Sequence, residues 1–356
     1  GNLWFADAGN NRVLRYPVSQ LAPFTIEPAA NLVLGQPDFK TGTFTNPPNT
    51  VARVNKSILV GPSGIAFGSN GDVYVSDGYG RVLYFKGPVT TNGQTATRLI
   101  GVPTPTTTDP NPRAFGGCPA TSPQPCETTL GAVTATGSFI PPEGIAVFNN
   151  QLYVADNGNN RVVKFDSPAN WPTECVYTGQ QPCAAGTLIS PAGIGFIGQV
   201  GGTDAVKANR GGLPNSNTLN GPVALAFDQQ GNMWVADSQN HRVLAFPASG
   251  GTYNAANRVL GQLDFTYNAP NLVEGKELFL YDPVRNAGAA GVTVDPTSDP
   301  PHLYIADSFN NRILGFRDAR NVRPGSTADL VIGQPDLLTT TPNTSTGTAD
   351  QPNDKT

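Results

Sequence analysis

Apolar residues in this chain come in short clusters of about four to seven, rich in Val, Ile, Leu, Phe, Tyr and Trp, and fenced by Gly, Pro, Asn and Asp. That is the pattern of strands between turns, and no stretch carries the sustained 3.6-residue period of a long amphipathic helix. Five of the clusters are paired in one repeated form: LWFADAGNNRVLRY, VYVSDGYGRVLYF, LYVADNGNNRVVKF, MWVADSQNHRVLAF and LYIADSFNNRILGF. Each is an apolar strand ending in Asp, a tight turn, and a strand restarting at Arg. The Asp positions, Asp7, Asp77, Asp156, Asp237 and Asp307, lie 70, 79, 81 and 70 residues apart. A period this long means one supersecondary unit stamped out several times.

Each unit is larger than its hairpin. Ahead of four hairpins stands a Pro/Gly-led apolar segment: GPSGIAF from Gly61, PPEGIAV from Pro141, GPVALAF from Gly221 and AGVTV from Ala290. After each comes a segment running into Gly: NLVLGQPDF from Asn31, RLIG from Arg98, FIGQ from Phe196, RVLGQLDF from Arg258 and DLVIGQPDL from Asp329. The unit is therefore a four-stranded antiparallel sheet. One such sheet cannot bury two apolar faces alone, so successive sheets must stack, and radial stacking leaves only short, protected edges. The expected fold is an all-β propeller with five visible units and no long helix.

Trp4, Tyr74, Tyr153, Trp234 and Tyr304 fall at equivalent places in the five hairpins. Packing is preferred for them over a sugar-binding platform, and their polar hydrogens should find partners. The Asp and Arg of each hairpin read as a latch, the Asp accepting from turn amides and the Arg reaching back with its planar fork. The pairs are Asp7 with Arg12, Asp77 with Arg81, Asp156 with Arg161, Asp237 with Arg242, and Asp307 with Arg312. The second turn is one residue shorter and lacks the Asn pair seen at Asn10 and Asn11.

The Gly-Ile-Ala, Tyr-Val-Ala-Asp and Asn-Asn-Arg-Val series resembles the NHL repeat in all five units. The Gly-Gln-Pro-Asp-Phe segment at Gly35–Phe39 further resembles a secreted bacterial branch of that family, which carries long insertions. The resemblance implies a propeller, six-bladed most often and sometimes five- or seven-bladed. Function does not follow from the fold.

Aligned on the repeat, residues 1–338 form the propeller and 339–356 a Thr/Pro-rich tail leading to a missing first strand. Gly1 begins directly at a second strand. An excerpt of a longer array, which would make a six-bladed ring, is the preferred reading; an unassigned strand and one donated by another copy stay open. An open slot beside the first strand pair would template a neighbour's strand and support self-association into a filament.

Composition narrows the setting. The chain has 356 residues, 40 Gly, 33 Pro and 13% charged residues. Its net charge of −4 is spread without runs, which offers no basic face for nucleic acid. No apolar run reaches the roughly 18 residues that cross a bilayer. The four cysteines pair locally by spacing, Cys118 with Cys126 and Cys175 with Cys183, each closing with Gln-Pro-Cys. Disulfides are preferred over zinc, and each would stabilise by about 2.5 kcal/mol and imply an oxidising, extracellular setting. Asn55 and Asn343 lie in Asn-x-Ser sequons, and Thr104, Thr106, Thr107 and Thr108 lie in a Thr/Pro tract suited to O-linked sugars.

No nucleophile elbow, phosphate-cradling Gly loop or His pair of metal spacing is present. His241 replaces a turn Asn and His302 opens a strand; both read as exposed polar residues. Asp264 and Glu274, an acid pair in an insertion, need geometry before they mean anything. The expectation is a secreted, non-catalytic module without a cofactor, displaying insertions at 40–60, 102–140, 166–186 and 200–220 to a protein, a glycan or its own copies. A structural calcium held by carbonyls would leave no mark in the sequence. The alternative is a metal-dependent lactonase- or lyase-like propeller enzyme.

Overall fold

The computed structural model describes residues 1–22, 26–42, 54–104, 126–133, 139–175, 183–184, 186–202, 207–270 and 273–342. The chain is all β, and its helical pieces among these residues are 3-10 turns of three or four residues. Blade 1 contains β1 (Leu3–Asp7), β2 (Arg12–Tyr16) and β3 (Leu32–Leu34). Blade 2 follows as β4 (Ile65–Phe67), β5 (Val73–Asp77), β6 (Arg81–Phe85) and β7 (Arg98–Ile100). After a small hairpin, β8 (Ala132–Val133) and β9 (Phe139–Ile140), blade 3 comprises β10 (Ile145–Phe148), β11 (Gln151–Asp156), β12 (Arg161–Phe165) and β13 (Gly193–Ile197). Blade 4 is β14 (Pro222–Phe227), β15 (Met233–Asp237), β16 (Arg242–Phe246) and β17 (Arg258–Leu260). A second small hairpin, β18 (Tyr281–Asp282) and β19 (Ala287–Gly288), precedes blade 5, made of β20 (Ala290–Asp295), β21 (His302–Asp307), β22 (Arg312–Phe316) and β23 (Leu330–Ile332).

Every blade pairs in sequence order, so each is an antiparallel meander. Blade 1 has three strands among the described residues, with β1 at its edge and Leu3 and Phe5 exposed. The two small hairpins were not legible as strands, being only two residues a side. β13 begins at Gly193, earlier than the Phe196 expected, because its glycines hide the strand pattern.

The chain divides into two compact units whose boundary runs through the middle strands of blade 3. In the first unit, Val13, Leu32 and Leu34 of blade 1 join Val75, Leu83 and Phe85 of blade 2 in one buried cluster. In the second, Trp234, Val243 and Leu260 of blade 4 join Leu303, Leu314 and Phe316 of blade 5. Sheet faces are thus buried against the neighbouring blade, as stacking demands. At about 25 cal/mol per Å² of apolar area, these fully buried side chains supply the main favourable term.

The latches form in all five blades. The ion pairs are 2.7 Å for Arg12 and Asp7, 3.0 Å for Arg81 and Asp77, 2.8 Å for Arg161 and Asp156, and 2.7 Å for both Arg242 with Asp237 and Arg312 with Asp307. The last four pairs have no exposed side-chain surface, whereas Asp7 and Arg12 keep 18% each. Burying two charges is tolerable only when the remaining donors and lone pairs are also matched. They are. Arg242 donates to the carbonyls of Phe265, Asn215 and Thr218, and Arg312 to those of Leu337 and Glu277.

The carboxylates take donors from beyond the turn as well as from it. Asp77, Asp237 and Asp307 accept from the main-chain N–H of Val60, Asn220 and Phe279, in the links leading into their own blades. The turn also contributes a side chain: Asn10, Asn159, Asn240 and Asn310 each donate to the Asp three residues earlier. In the shorter second turn the Tyr79 amide does this, and Gly80 takes the left-handed conformation with φ of +70°.

Arg242→Met removes the cation and the donors to three carbonyls while keeping the bulk. The expected loss is about 3–5 kcal/mol in urea unfolding. The same change at the partly exposed Arg12 is expected to cost about 1 kcal/mol.

Candidate functional site

Asn11, Asn160, His241 and Asn311 end the hairpin turns in left-handed backbone, with φ between +50° and +55°. Asn and His are among the non-glycine residues enriched in this region, so His241 can stand where the other turns have Asn. Asn11 Oδ1 accepts from Gly61 N–H at 2.9 Å and Asn160 Oδ1 from Gly221 N–H at 2.8 Å, tying each turn to the link into the next blade. His241 does the same through Nδ1, which accepts from Leu280 N–H at 3.2 Å, with its ring 5.6 Å from that of Phe279. The exposed position expected for His241 is therefore corrected: it is 5% exposed. Burial lowers its pKa to about 4. His302 is partly buried, its Nδ1 3.5 Å from the Tyr304 hydroxyl.

The Gly-Gln segments after the fourth strands have a mechanical part that their spacing did not reveal. Gly261, with φ of +86°, lies so close to Leu278 that a Cβ would meet its side chain at 2.7 Å. The same contact joins Gly35 to Leu59, Gly101 to Leu130 and Gly198 to Leu219. The neighbouring Gln36, Gln199, Gln262 and Gln334 donate their amides to the carbonyls of the left-handed turn residues. The Asp that follows folds a local turn: Asp38, Asp264 and Asp336 accept from Thr41, Thr266 and Thr339. Hydrogen bonds from Thr266 lower the pKa of Asp264, and Glu274 is exposed beside Lys276. Each acid therefore has a local partner of its own.

Of the aromatic series, Tyr74, Tyr153 and Trp234 are buried, and Trp234 Nε1 donates to Asp228. Tyr74 departs from expectation, because its buried hydroxyl has no hydrogen-bond partner. Burial pushes its phenol up from the ordinary value.

Cys175 and Cys183 form the expected disulfide. Cys126 is disulfide-bonded as well; Cys118 lies outside the described residues, as do Asn343, Thr106, Thr107 and Thr108. Thr104 has a buried hydroxyl without a partner, and Asn55 accepts from Ser57 N–H. Among the described residues no three His, Cys, Asp or Glu side chains converge, and no helix is long and apolar enough to cross a membrane.

The disulfide-bearing insertion does not stand free. Arg98, at the start of β7, donates Nε to Ile189 O, Nη1 to Pro172 O and Nη2 to Leu188 O, at 2.6 to 2.8 Å. Ser190 Oγ accepts from Gly101 N–H, and Lys56 pairs with Glu174 at 2.7 Å. These ties fold the insertion back over blade 2 and leave a pocket of about 390 Å³ at the blade end opposite the latches. Its floor is Asp72 and Tyr84; its walls include Lys86, Asn150, Trp171 and Glu174. Tyr84 donates to Asp72 at 3.1 Å, and its ring meets that of Trp171 edge-on at 5.1 Å. Burial and the Asp72 charge push the Tyr84 phenol up, which keeps it a donor. Trp171 is fixed from its other end by Nε1 donating to Asp166 O at 2.8 Å.

The meander blades and their stacked faces make this an all-β propeller. Within it, residues 139–165 and 219–246 match the NHL repeat. Among solved structures, a streptogramin B lyase is similar with a TM-score of 0.38 and 12% identity, over 89% of this chain and 76% of that one. Virginiamycin B lyase from Staphylococcus aureus is similar with a TM-score of 0.31 and 12% identity, over 77% of this chain and 71% of that one. No curated protein matches the sequence.

His241 must be neutral to accept at Nδ1, so its contribution to stability is complete above about pH 6.5 and is lost as pH falls toward 4. Thermal unfolding at pH 7 and pH 4.5 should show a deficit at the lower pH, on the order of 3 kcal/mol at most. His241→Asn, which restores the residue of the other turns, should reduce that deficit.

Proposed function

We propose that this propeller is a non-catalytic binding module of an extracytoplasmic protein, holding a group of a macromolecular partner in the pocket between blade 2 and the disulfide-bearing insertion. The observation that carries this reading is the pre-formed wall. An insertion of this length, fixed by a disulfide, three guanidinium contacts and an ion pair, presents Trp171 in one position before any ligand arrives. Pre-organisation of this kind removes the ordering cost that weakens binding by loops. A rigid scaffold carrying an adapted insertion is a common arrangement for recognition surfaces. The disulfides support an oxidising compartment.

The test screens the whole chain against immobilised glycans and a displayed peptide library, with a Trp171→Ala/Asn150→Ala double variant in parallel. The expected outcome is a saturable ligand, lost in the variant and recovered chemically unchanged after long incubation. Conversion of the ligand, or binding indifferent to both substitutions, overturns the reading.

A further inference from the structure

The hydrogen-bond state of the pocket wall restricts what it can hold. Glu174 is already matched by Lys56 at 2.7 Å, and every donor-bearing nitrogen of Arg98 is held by a carbonyl. Neither leaves a free charge to recruit an ion. Asp72 accepts from Tyr84 Oη and from Gly87 N–H, and a carboxylate has about four lone-pair sites, so acceptor capacity remains. Asn150 accepts from Ser69 Oγ at 2.9 Å and donates to Ser167 Oγ at 3.1 Å, leaving one N–H and one lone pair. Thr97 Oγ1 accepts from Lys86 N–H and keeps its own proton to donate. Lys86 is exposed at the rim, with an ammonium that only donates.

Donors and acceptors are thus left over side by side, around the half-buried indole of Trp171. An ion would use one kind of group only. A hydroxyl uses both, and a ring of carbon-bound hydrogens suits an aromatic wall. Size agrees: about 390 Å³ lies within the 300–1,000 Å³ span of small-ligand sites, whereas the pocket between Gly261 and Gly325, about 170 Å³, falls below it.

We propose that the pocket binds a neutral sugar ring, one pyranose unit of a partner glycan, packed against Trp171 with its hydroxyls hydrogen-bonded to Asp72, Asn150 and Lys86. The inference rests on the pocket being the binding site. It adds the chemical class of the ligand.

Titration of the intact chain with free neutral hexoses, N-acetylhexosamines and disaccharides, followed by saturation-transfer NMR and tryptophan fluorescence, tests it. The expected result is saturable binding with Kd of about 1 mM. Trp171→Ala should weaken it by about tenfold or more, and Lys86→Ala by a few fold, with the thermal midpoint of Lys86→Ala unchanged. Glucuronate, glucosamine and inorganic phosphate serve as charged probes. No saturation by any neutral sugar, preference for a charged probe, or binding unaffected by Lys86→Ala and Trp171→Ala would overturn the proposal. A peptide held in the pocket without sugar binding defeats this inference and leaves the binding-module reading standing; ligands indifferent to the pocket variants defeat both.

Discussion

The fold depends on satisfying buried main-chain polar groups at the ends of short blades, and the hairpin arginine is the group that does it. Strands of three to six residues cannot bridge to the next sheet with regular hydrogen bonding. The links between blades therefore contain carbonyls and amides that have left water without a ladder partner. Each unmatched group would cost about 1–3 kcal/mol. Guanidinium and carboxylate together offer donors and acceptors in a fixed arrangement, and in blade 4 they reach Phe265, Asn215, Thr218 and Asn220 at once. The charge pair also neutralises itself, which makes its complete burial tolerable.

Around that hub the remaining repeat residues have defined jobs. The last turn residue accepts left-handed backbone and hooks the next link, as Asn11 does to Gly61. Glycine after the fourth strand lets a leucine approach closely, and the glutamine beside it returns to the turn carbonyls. Blade 2 keeps the glycine but has Val102 where the others have glutamine, and its turn is also the shorter one. In blade 2 the shorter turn and the absent glutamine tie fall at the same corner.

What could be read from the sequence was whatever repeats at fixed spacing. Strand order, hairpin turns, the latch pairs and the Cys175–Cys183 bridge all sit within a few residues of their partners, so local pattern carries them. His241 was misread because replacing Asn looked like a surface change, whereas its Nδ1 takes over the asparagine's contact with a residue 39 positions away. The glutamine tie was present as a motif but silent about its partners, which lie in the preceding hairpin. The pocket could not be foreseen at all. Asp72, Asn150 and Trp171 belong to no common motif, and Trp171 reaches the others through long-range ties, Arg98 holding carbonyls 74 to 91 residues further on and Lys56 pairing with Glu174.

Arg98 and the latch arginines share one habit: they grip carbonyl oxygens, which every amino acid possesses. The links and the folded-back insertion are therefore held in place without regard to which side chains they display. Such a grip is blind to sequence. Mutation can rewrite what those segments present to the outside while the frame beneath them goes on seeing an unchanged polypeptide, so a new surface chemistry does not require a new architecture.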